Sequence, residues 1–307
     1  MRLLRRISRW WHELARYDTW NVGLIALTQP LRDVNELPSL IRGVKWLPAR
    51  PPLYFIADPF PYRHAGRDWL LVEDYGHPWR VRGRISRIDP SGASSTLHPV
   101  IDRPTHLSYP FIVTDDDGRT WCVPETSAER NGCALFELTS DGEWIERGRI
   151  LEGRIVVDPT IVRFERRWWL LCGNGAEHGS LELDAYYADA IAGPWTPHPL
   201  NPLERDRASA RPGGRPFVVG GRLFRPAQDC SRTYGGALTI MAIDELTPAT
   251  FRERAVVRLD PDAHGPYPDG LHHLVVEDDR IYIDGKRQRH DYWLWLKRWR
   301  GMIARRD

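Results

Sequence analysis

One sequence unit occurs five times in this chain of 307 residues, at a spacing of roughly 50 residues. Each copy starts with a short motif ending in Pro or His, continues as an alternating strand and a tight turn, and closes with a second strand centred on an aromatic residue. The copies read ADPFPYRHAGRDWLLVED, SYPFIVTDDDGRTWCVPET, VDPTIVRFERRWWLLCGN, GRPFVVGGRLFRPAQD and LHHLVVEDDRIYIDGK. Strand-and-turn repeats of this length predict an all-β fold, a five-bladed β-propeller.

Further apolar segments follow the repeated units and supply the outer strands of four-stranded blades. GRISRID follows the first unit and CALFELT the second. The fifth unit is short of strands, so the segment NVGLIAL at 21–27 is predicted to complete it and close the ring, which removes exposed sheet edges. We predict one propeller domain over 21–290, with blades at about 52–104, 105–153, 154–203, 209–260 and 264–290.

Equivalent positions of the repeat should surround the central funnel, because the innermost strand of every blade faces the same axis. The first positions of the five inner strands are Asp58, Tyr109 or Ser108, Asp158, Arg215 and His272. The positions four residues beyond the second-strand aromatic are Glu73, Glu125, Gly173, Gln228 and Lys286. The sequence therefore predicts two rings of mostly polar side chains around the funnel.

Carboxylates inside apolar strands need a partner or a purpose, because burying an unpaired carboxylate is unfavourable. One interpretation is that they pair with nearby cations and only plug the channel; those cations are Arg215, Arg225, His272 and Lys286. The other interpretation is a sugar-sized pocket, in which Tyr109 and Tyr234 stack on a sugar ring. The two interpretations differ in whether the funnel is filled by ion pairs or is open to a sugar.

Two motifs that resemble metal sites have simpler explanations. The run Asp115–Gly118 lies where the repeat requires a hairpin turn, and Asp-Gly is favoured there. His272 and His273 are predicted to lie on a strand, where successive side chains point to opposite faces and cannot share one ion. We therefore expect no metal and no cofactor, and keep His272 as a hydrogen-bonding group.

Both ends of the chain are basic and rich in Trp, whereas the region between them is acidic. Residues 1–16 carry five Arg against one Glu, and residues 286–307 carry eight Lys or Arg against two Asp. Apolar side chains recur at helical spacing among these charges, which predicts short amphipathic helical tails over 1–20 and 291–307. Such helices either bind an anionic membrane surface or pack their apolar stripe on the propeller.

Cysteine usage and hydropathy bear on location. The four cysteines show no CxxC spacing, which argues against a zinc site and a disulfide framework. Neither a signal peptide nor an apolar run of membrane-spanning length is recognisable. We expect a cytoplasmic protein, peripheral at the inner face of the membrane, and the acidic body argues against a nucleic-acid partner.

The Asp58-Pro59 and Asp158-Pro159 pairs, a hundred residues apart, resemble the motifs of the five-bladed propeller glycosidases, a clan that includes arabinanases, β-xylosidases and invertases. The resemblance implies that the blade-one Asp is the nucleophile or base and that the blade-three Asp orients and tunes it. In that clan a Glu of blade four is the general acid. Here that place holds RPAQDCSRTYG, with Gln228 and Asp229, which departs from a simple hydrolase.

A second resemblance covers most of the chain. The runs SARPGGRPFVVGGRLFRPAQDCSRTYGGAL, PYPDGLHHL, DPFP and YPF resemble the N-terminal propeller domain of the glucosamine inositolphosphorylceramide transferases and related stand-alone bacterial proteins. This resemblance implies a carbohydrate-active propeller tied to envelope glycan assembly. It assigns no catalytic residue.

Chemical reasoning supplies the roles. Making or breaking a glycosidic bond requires one carboxyl group to carry a proton and another to act as base or nucleophile. We predict Asp58 as base or nucleophile, Glu125 as acid and Asp158 as the orienting group. The predicted substrate-binding residues, with three cations suited to phosphate, are Glu73, Tyr109, Arg215, Arg225, Gln228, Asp229, Tyr234, His272 and Lys286.

Three functions follow from these observations. The first is a membrane-peripheral glycosyltransferase that takes a sugar or nucleotide-sugar donor and a glycolipid acceptor. The second is a glycoside hydrolase of the furanosidase type. The third is a non-catalytic propeller that binds a glycan.

Overall fold

The computed structural model describes residues 16–76, 82–91, 96–174 and 182–291. Regular structure in these ranges is almost entirely antiparallel strand, with one helical turn and three short 3-10 turns. Of the amphipathic tails predicted over 1–20 and 291–307, residues 1–15 and 292–307 lie outside the described residues. No helix in the described ranges has the length and apolar character needed to cross a lipid bilayer.

The chain enters the fold through strand β1 (Arg16–Ala26), which is followed by the helical turn α1 (Leu37–Leu40) and the short strand β2 (Lys45–Trp46). β1 begins five residues before the closing strand predicted at 21–27. The prediction that residues 16–20 belong to a helical tail is wrong. These residues are part of β1, whose pairing with the last strand extends to Arg16 and His290.

The first three blades are four-stranded antiparallel sheets built in chain order from the axis outward. Blade one holds β3 (Tyr54–His64), β4 (Arg67–Gly76), β5 (Gly83–Ile88) and β6 (His98–Ile101). Blade two holds β7 (Ser108–Thr114), β8 (Thr120–Glu125), β9 (Cys133–Leu138) and β10 (Trp144–Ile150). Blade three holds β11 (Val156–Phe164), β12 (Arg167–Asn174), β13 (Glu182–Ala188) and β14 (Thr196–Pro197).

The fourth blade has its innermost strand in two pieces. Both β15 (Arg211–Pro212) and β16 (Phe217–Val219) pair with β17 (Arg222–Asp229). Farther from the axis the blade continues with β18 (Ala237–Leu246) and β19 (Phe251–Leu259). The break in the inner strand changes the direction of one predicted site residue.

The fifth blade joins the two ends of the described chain. Its strands run in the order β20 (Leu274–Val276), β21 (Arg280–His290), β1 and β2. β1 and β21 pair over eleven residues, and a parallel bridge from Gly214 to Leu274 links blades four and five. This closure confirms the five-bladed propeller predicted from the repeat, and it protects the strand edges that an open sheet would expose.

Apolar residues fill the space between adjacent blades, as the alternating strands predict. The largest cluster spans blades one, two, three and five and includes Phe60, Phe111 and Leu70, all fully buried. The run Asp115–Gly118 forms the predicted hairpin turn: the Gly118 N–H donates to the Asp115 carbonyl, and Gly118 has a φ of 80°. The rigid blades hold the inner strands, and hence the funnel side chains, in fixed positions.

Candidate functional site

The inner strands of the first three blades share a bulge at an X-Pro pair. Asp58, Tyr109 and Asp158 each precede a proline, and their φ angles are 53°, 44° and 49°. The ladder of each strand shifts register at this point, because proline has no N–H to donate to the neighbouring strand. Positive φ is unusual for such residues, and the bulge turns their side chains toward the funnel.

Five carboxyl groups gather there, and we call Asp58, Glu73, Glu125, Asp158 and Asp284 the carboxylate cluster. Backbone amides of neighbouring blades hold three of them. Asp284 accepts from the Asp58 N–H at 3.2 Å, and Asp58 accepts from the Tyr109 N–H at 3.1 Å. Glu125 accepts from the Asp158 N–H at 3.1 Å. The bulges thus link the cluster from blade to blade.

Asp58 is nearly buried, with 5% of its surface exposed. Burial raises the pKa of Asp58 to about 7; His272 opposes this, whereas Asp284 and Asp158 add to it. Burial disfavours the ionised Asp284, but His272, His273 and the Asp58 N–H together outweigh that effect and lower the pKa of Asp284 below its ordinary value. Asp58 therefore exchanges its proton near neutral pH, while Asp284 stays ionised beside it.

Asp158 is held from blade four. Arg211 Nε lies 2.5 Å from Asp158 Oδ2, and Gln228 Nε2 donates to the same oxygen at 3.0 Å. Burial raises the pKa of Asp158 to about 7, Arg211 lowers it in part, and the nearby Glu125 raises it. Arg211 and Gln228 thus fix the orientation of Asp158; its role in orienting and tuning the reacting groups stays a prediction.

His272 and His273 both approach Asp58. Asp58 Oδ1 lies 4.0 Å from His272 Nε2 and 3.6 Å from His273 Nδ1. The prediction that successive residues point to opposite faces is wrong here, because these two residues precede β20 and are not in a strand. Burial lowers the pKa of His273 to about 3, so this imidazole is neutral.

The geometry offers one candidate cation site. Asp58, His272 and Asp284 each present a ligand atom within 4.8 Å of the others. Most of their capacity is used within the protein: Asp284 accepts the backbone N–H groups of His272 and His273 at 3.1 Å, and His272 Nδ1 lies 2.7 Å from Asp284 Oδ2. The expectation of no metal stays a prediction.

An aromatic wall flanks the cluster. Trp20 of β1 stacks on His272, with ring centroids 3.8 Å apart and planes 16° from parallel. Tyr234 meets both rings edge-on, and the Arg211 guanidinium lies 5.0 Å from the centre of its ring. Tyr234 is 45% exposed, which makes it the accessible aromatic face predicted for a sugar.

Lys286 lies behind this wall. Its Nζ donates to the Tyr234 carbonyl and lies 5.5 Å from the Trp20 ring centre. Burial lowers the pKa of Lys286. Lys286 thus lies beside Trp20, and its ammonium fixes the loop that carries Tyr234; its predicted contact with substrate stays a prediction.

Tyr109 lies deep in the channel and does not face the funnel mouth. It is fully buried, and its hydroxyl lies 2.8 Å from Thr160 Oγ1 and 2.9 Å from the Gly214 N. With Phe60, Phe111 and His273 it closes the channel below the cluster. The predicted stacking of Tyr109 on a sugar is wrong for this reason.

Arg215 points to the opposite mouth of the channel. It contacts Glu277 and donates to the carbonyls of Pro61 and Ile112, in a cavity of about 690 Å³. Between the two pieces of the inner strand of blade four the residue with positive φ is Gly214, at 131°, so the alignment of Arg215 with Asp58 is wrong by one residue. A shift of one residue along a strand reverses the face of the side chain.

Arg225 and Asp229 are also held outside the cluster. Arg225 forms a buried ion pair with Glu253 and donates to the Ser209 carbonyl at 2.7 Å. Asp229 accepts from the Ser231 N–H and hydroxyl and contacts Arg258. Both residues lie on the face of β17 opposite Gln228, which points to Asp158, so they are directed away from the cluster where they were predicted to bind substrate.

The sequence analysis did not identify four residues that contact the cluster or its aromatic wall: Trp20, His106, Arg211 and Asp284. His106 lies 3.6 Å from Glu73. Asp284 had a readable signal, because it lies two positions before Lys286 on the same strand and therefore on the same face. Arg211 lies in the run SARPGGRPF, but only the segment Arg-Pro-Phe at 215–217 matched the repeated unit. Trp20 and His106 had no signal, since they lie outside the repeated units.

Sequence comparison identifies relatives of this chain. Residues 45–265 match the family described as glucosamine inositolphosphorylceramide transferase 1, N-terminal. The chain is 31% identical over 211 residues to the transferase of this name from Oryza sativa subsp. japonica and 30% identical to that from Arabidopsis thaliana, with 66% of this chain covered in both. It spans only 28% and 27% of the length of those relatives.

Structural comparison agrees on the fold. A family 117 glycoside hydrolase from Zobellia galactanivorans superposes with a TM-score of 0.52 at 11% identity, covering 87% of this chain and 90% of that one. An exo-β-1,3-galactanase from Clostridium thermocellum gives 0.52 at 10% identity, covering 68% and 52%. At these identities the likeness establishes the shared propeller.

Proposed function

The chain belongs to the family of the N-terminal domain of glucosamine inositolphosphorylceramide transferase 1, and on that premise we propose that it is an enzyme acting at a glycosidic bond. The carboxylate cluster is its proposed active centre. A sugar or glycan is the proposed substrate, with Tyr234 as the accessible aromatic surface beside it.

One observation carries this proposal: bulges in the inner strands of blades one and three bring Asp58 and Asp158 into one buried cluster of carboxyl groups in the funnel. Glycosidic-bond chemistry needs carboxyl groups that hold or release a proton near the working pH. The burial that raises the pKa of both groups to about 7 suits that requirement. Asp58 acts as nucleophile or base in this proposal, and Asp158 orients the reacting groups.

Arg215, Arg225 and Lys286 were predicted to bind the phosphates of a nucleotide sugar. Their positions argue against a nucleotide sugar as the substrate. Arg225 is committed to Glu253, and Arg215 lies at the other mouth of the channel. Lys286 is near the funnel but donates to a backbone carbonyl. The geometry therefore favours a glycoside over a nucleotide sugar as the group that reacts.

Glycosyl transfer to a glycolipid at a membrane surface is the second candidate. The name of the rice and Arabidopsis relatives favours it, although the region matched is about a quarter of their length. The Trp-bearing basic ends of the sequence support a peripheral location at the inner face of the membrane. Co-sedimentation of the full chain with vesicles of phosphatidylcholine and phosphatidylglycerol tests that location; binding that is equal on neutral vesicles would contradict it.

A glycan-binding propeller without catalysis is the third candidate. It is favoured by the pairing already present in the cluster, since Asp158 is bonded to Arg211 and Asp284 to His272. Such a protein would bind sugar without turnover.

The deciding experiment combines turnover and binding. Purified protein is assayed with a panel of aryl glycosides and nucleotide sugars, and its thermal midpoint is measured with the same compounds, because a ligand of the folded state raises the midpoint. We expect turnover of an aryl glycoside, reduced at least about 100-fold in Asp58→Asn. Asp116→Asn, in an exposed turn, is the matched control. Full turnover in Asp58→Asn would refute the proposed site.

A further inference from the structure

Glu73 differs from the other members of the carboxylate cluster in its partners. Asp58, Glu125 and Asp284 accept backbone N–H groups, and Asp158 accepts from Arg211 and Gln228. Within the described ranges no N–H or O–H group donates to Glu73 at hydrogen-bond distance. Its nearest ionisable contact is His106, whose Nε2 lies 3.6 Å from Glu73 Oε1.

The surroundings of Glu73 disfavour its anion. Only 8% of its surface is exposed, and Asp58, Glu125, Asp158 and Asp284 face it from blades one, two, three and five. Burial first, and then repulsion by these carboxylates, raises the pKa of Glu73 well above its ordinary value. The surroundings of Glu73 therefore favour its protonated form.

Local structure defines the orientation of His106. The Gly83 N–H donates to His106 Nδ1 at 2.7 Å, which makes Nδ1 an acceptor and leaves the ring proton on Nε2, facing Glu73. Burial lowers the pKa of His106 and keeps the imidazole neutral. Gly83 makes the approach feasible, because a Cβ there would lie 2.8 Å from Glu73 Oε1 and 2.9 Å from His106 Cε1.

From this geometry, and resting on the proposed function, we propose that Glu73 is the general acid of the reaction and that His106 is its positioning residue. The bond between the anomeric carbon and the leaving oxygen breaks, and its electron pair remains on that oxygen. The oxygen takes the Glu73 proton, while Asp58 or a water activated by Asp58 bonds to the anomeric carbon. His106 Nε2–H then stabilises the Glu73 carboxylate that results.

This assignment replaces Glu125 as the predicted acid. Glu125 accepts from the Ser127 hydroxyl at 2.6 Å and from the Asp158 N–H at 3.1 Å. Both carboxyl oxygens of Glu125 are therefore already engaged by donors of blades two and three. The proton donor therefore comes from blade one, the same blade as Asp58.

Leaving-group dependence separates an acid from other roles. A phenyl glycoside needs protonation of its leaving oxygen, whereas the 2,4-dinitrophenyl glycoside of the same sugar does not. We expect Glu73→Gln to lower kcat/KM at least about 100-fold on the phenyl substrate and less than about tenfold on the dinitrophenyl one. Glu125→Gln is the matched control. Equal losses on both substrates in Glu73→Gln, or the selective loss in Glu125→Gln, would overturn the proposal.

The role of His106 is tested by the pH profile. His106→Ala removes the donor to the carboxylate, so the alkaline limb of kcat/KM should move to higher pH, and His106→Gln, which retains an N–H donor, should restore it. An unchanged limb in His106→Ala would show that the contact has no influence on Glu73.

A titration makes the test independent of turnover and of the proposed function. Protein labelled with ¹³C at the Glu side-chain carboxyl should show one protonated signal at pH 7, and this signal should be absent in Glu73→Gln but present in Glu125→Gln. An ionised Glu73 at pH 5 would refute the acid even if Asp58→Asn abolishes turnover. If Glu73→Gln retains activity while Asp58→Asn is inactive, the role of Glu73 is refuted and the proposed function is not. Full activity of Asp58→Asn would contradict the proposed function and the role of Glu73 together.

Discussion

At the scale of single residues, the site depends on side chains held in unusual backbone conformations. A non-glycine residue at positive φ costs about 1–3 kcal/mol, and Asp58, Tyr109 and Asp158 all adopt it. Each of their N–H groups is turned toward a neighbour, and a carboxylate accepts it: Asp284, Asp58 and Glu125 in turn. The bulges bring the carboxyl groups together, and the carboxyl groups in turn stabilise the bulges by accepting these N–H groups.

Tyr234 provides a residue-scale prediction about substrate binding. We expect Tyr234→Ala to raise KM for the reacting glycoside about five- to tenfold, because a stacking face worth about 1 kcal/mol is lost. Lys286 bonds to the backbone carbonyl of Tyr234, so the loop should keep its position. Tyr234→Phe retains the face and should behave as wild type; a loss in Phe equal to that in Ala would instead assign the hydroxyl.

Arg225 provides a prediction about stability. It and Glu253 are almost wholly buried, and removing one member of such a pair leaves an uncompensated charge. Arg225→Met should lower the free energy of unfolding by about 3–5 kcal/mol, measured by urea denaturation at constant pH. The double variant Arg225→Met with Glu253→Leu should recover most of it. A stable Arg225→Met that binds sugar poorly would restore Arg225 to the substrate site.

At the scale of elements, blade four departs from the repeat. Its inner strand is split into β15 and β16, and the residue at positive φ is Gly214 rather than the residue before proline. Gly214 bridges to Leu274 of blade five and donates to the Tyr109 hydroxyl. The departure sends Arg215 to the far mouth and brings Arg211 to Asp158.

A substitution at Gly214 tests this element. A Cβ there would lie 1.9 Å from the Leu274 carbonyl oxygen, and the φ of 131° disfavours any side chain. Gly214→Ala should lower the free energy of unfolding by at least about 3 kcal/mol in urea denaturation. Gly220→Ala, at a φ of 59° with open space around it, should lose only about 1 kcal/mol. Equal losses would show that the bridge between blades four and five contributes little.

At the scale of the whole molecule, closing the ring brings like charges together. The pKa values of Asp58 and Asp158 rise to about 7 in the folded state, and that of Glu73 rises as well. The folded state therefore holds more protons than the unfolded chain between about pH 4 and pH 7, and stability falls as pH rises through this window. His106 and His273, whose pKa values burial lowers, act in the opposite direction below their ordinary pKa, but they are two groups against these three.

The pH dependence of stability is therefore a prediction for the intact propeller. We expect the free energy of unfolding to decrease from pH 5 to pH 8, and Asp58→Asn to reduce the slope by about 1 kcal/mol per pH unit between pH 5 and 7. Asn keeps an oxygen for the Tyr109 N–H, so the fold should persist. Asp116→Asn should leave the slope unchanged. An identical slope in Asp58→Asn would show that Asp58 is ionised throughout.

The sequence by itself determined the propeller and much of the cluster. Five repeated units imply five blades that surround one axis. Asp58, Glu73, Glu125 and Asp158 could be identified because equivalent positions of a closed repeat share one axis. These inferences use only local pattern and periodicity.

Only the tertiary structure decided which groups pair. Asp58 meets Asp284 across 226 residues and Asp158 meets Arg211 across 53, and no local pattern encodes such distant contacts. A one-residue offset in blade four reversed the direction of Arg215, because side chains alternate along a strand. Burial and the summed field of distant carboxylates set which of them holds a proton, and both exist only once the ring has closed.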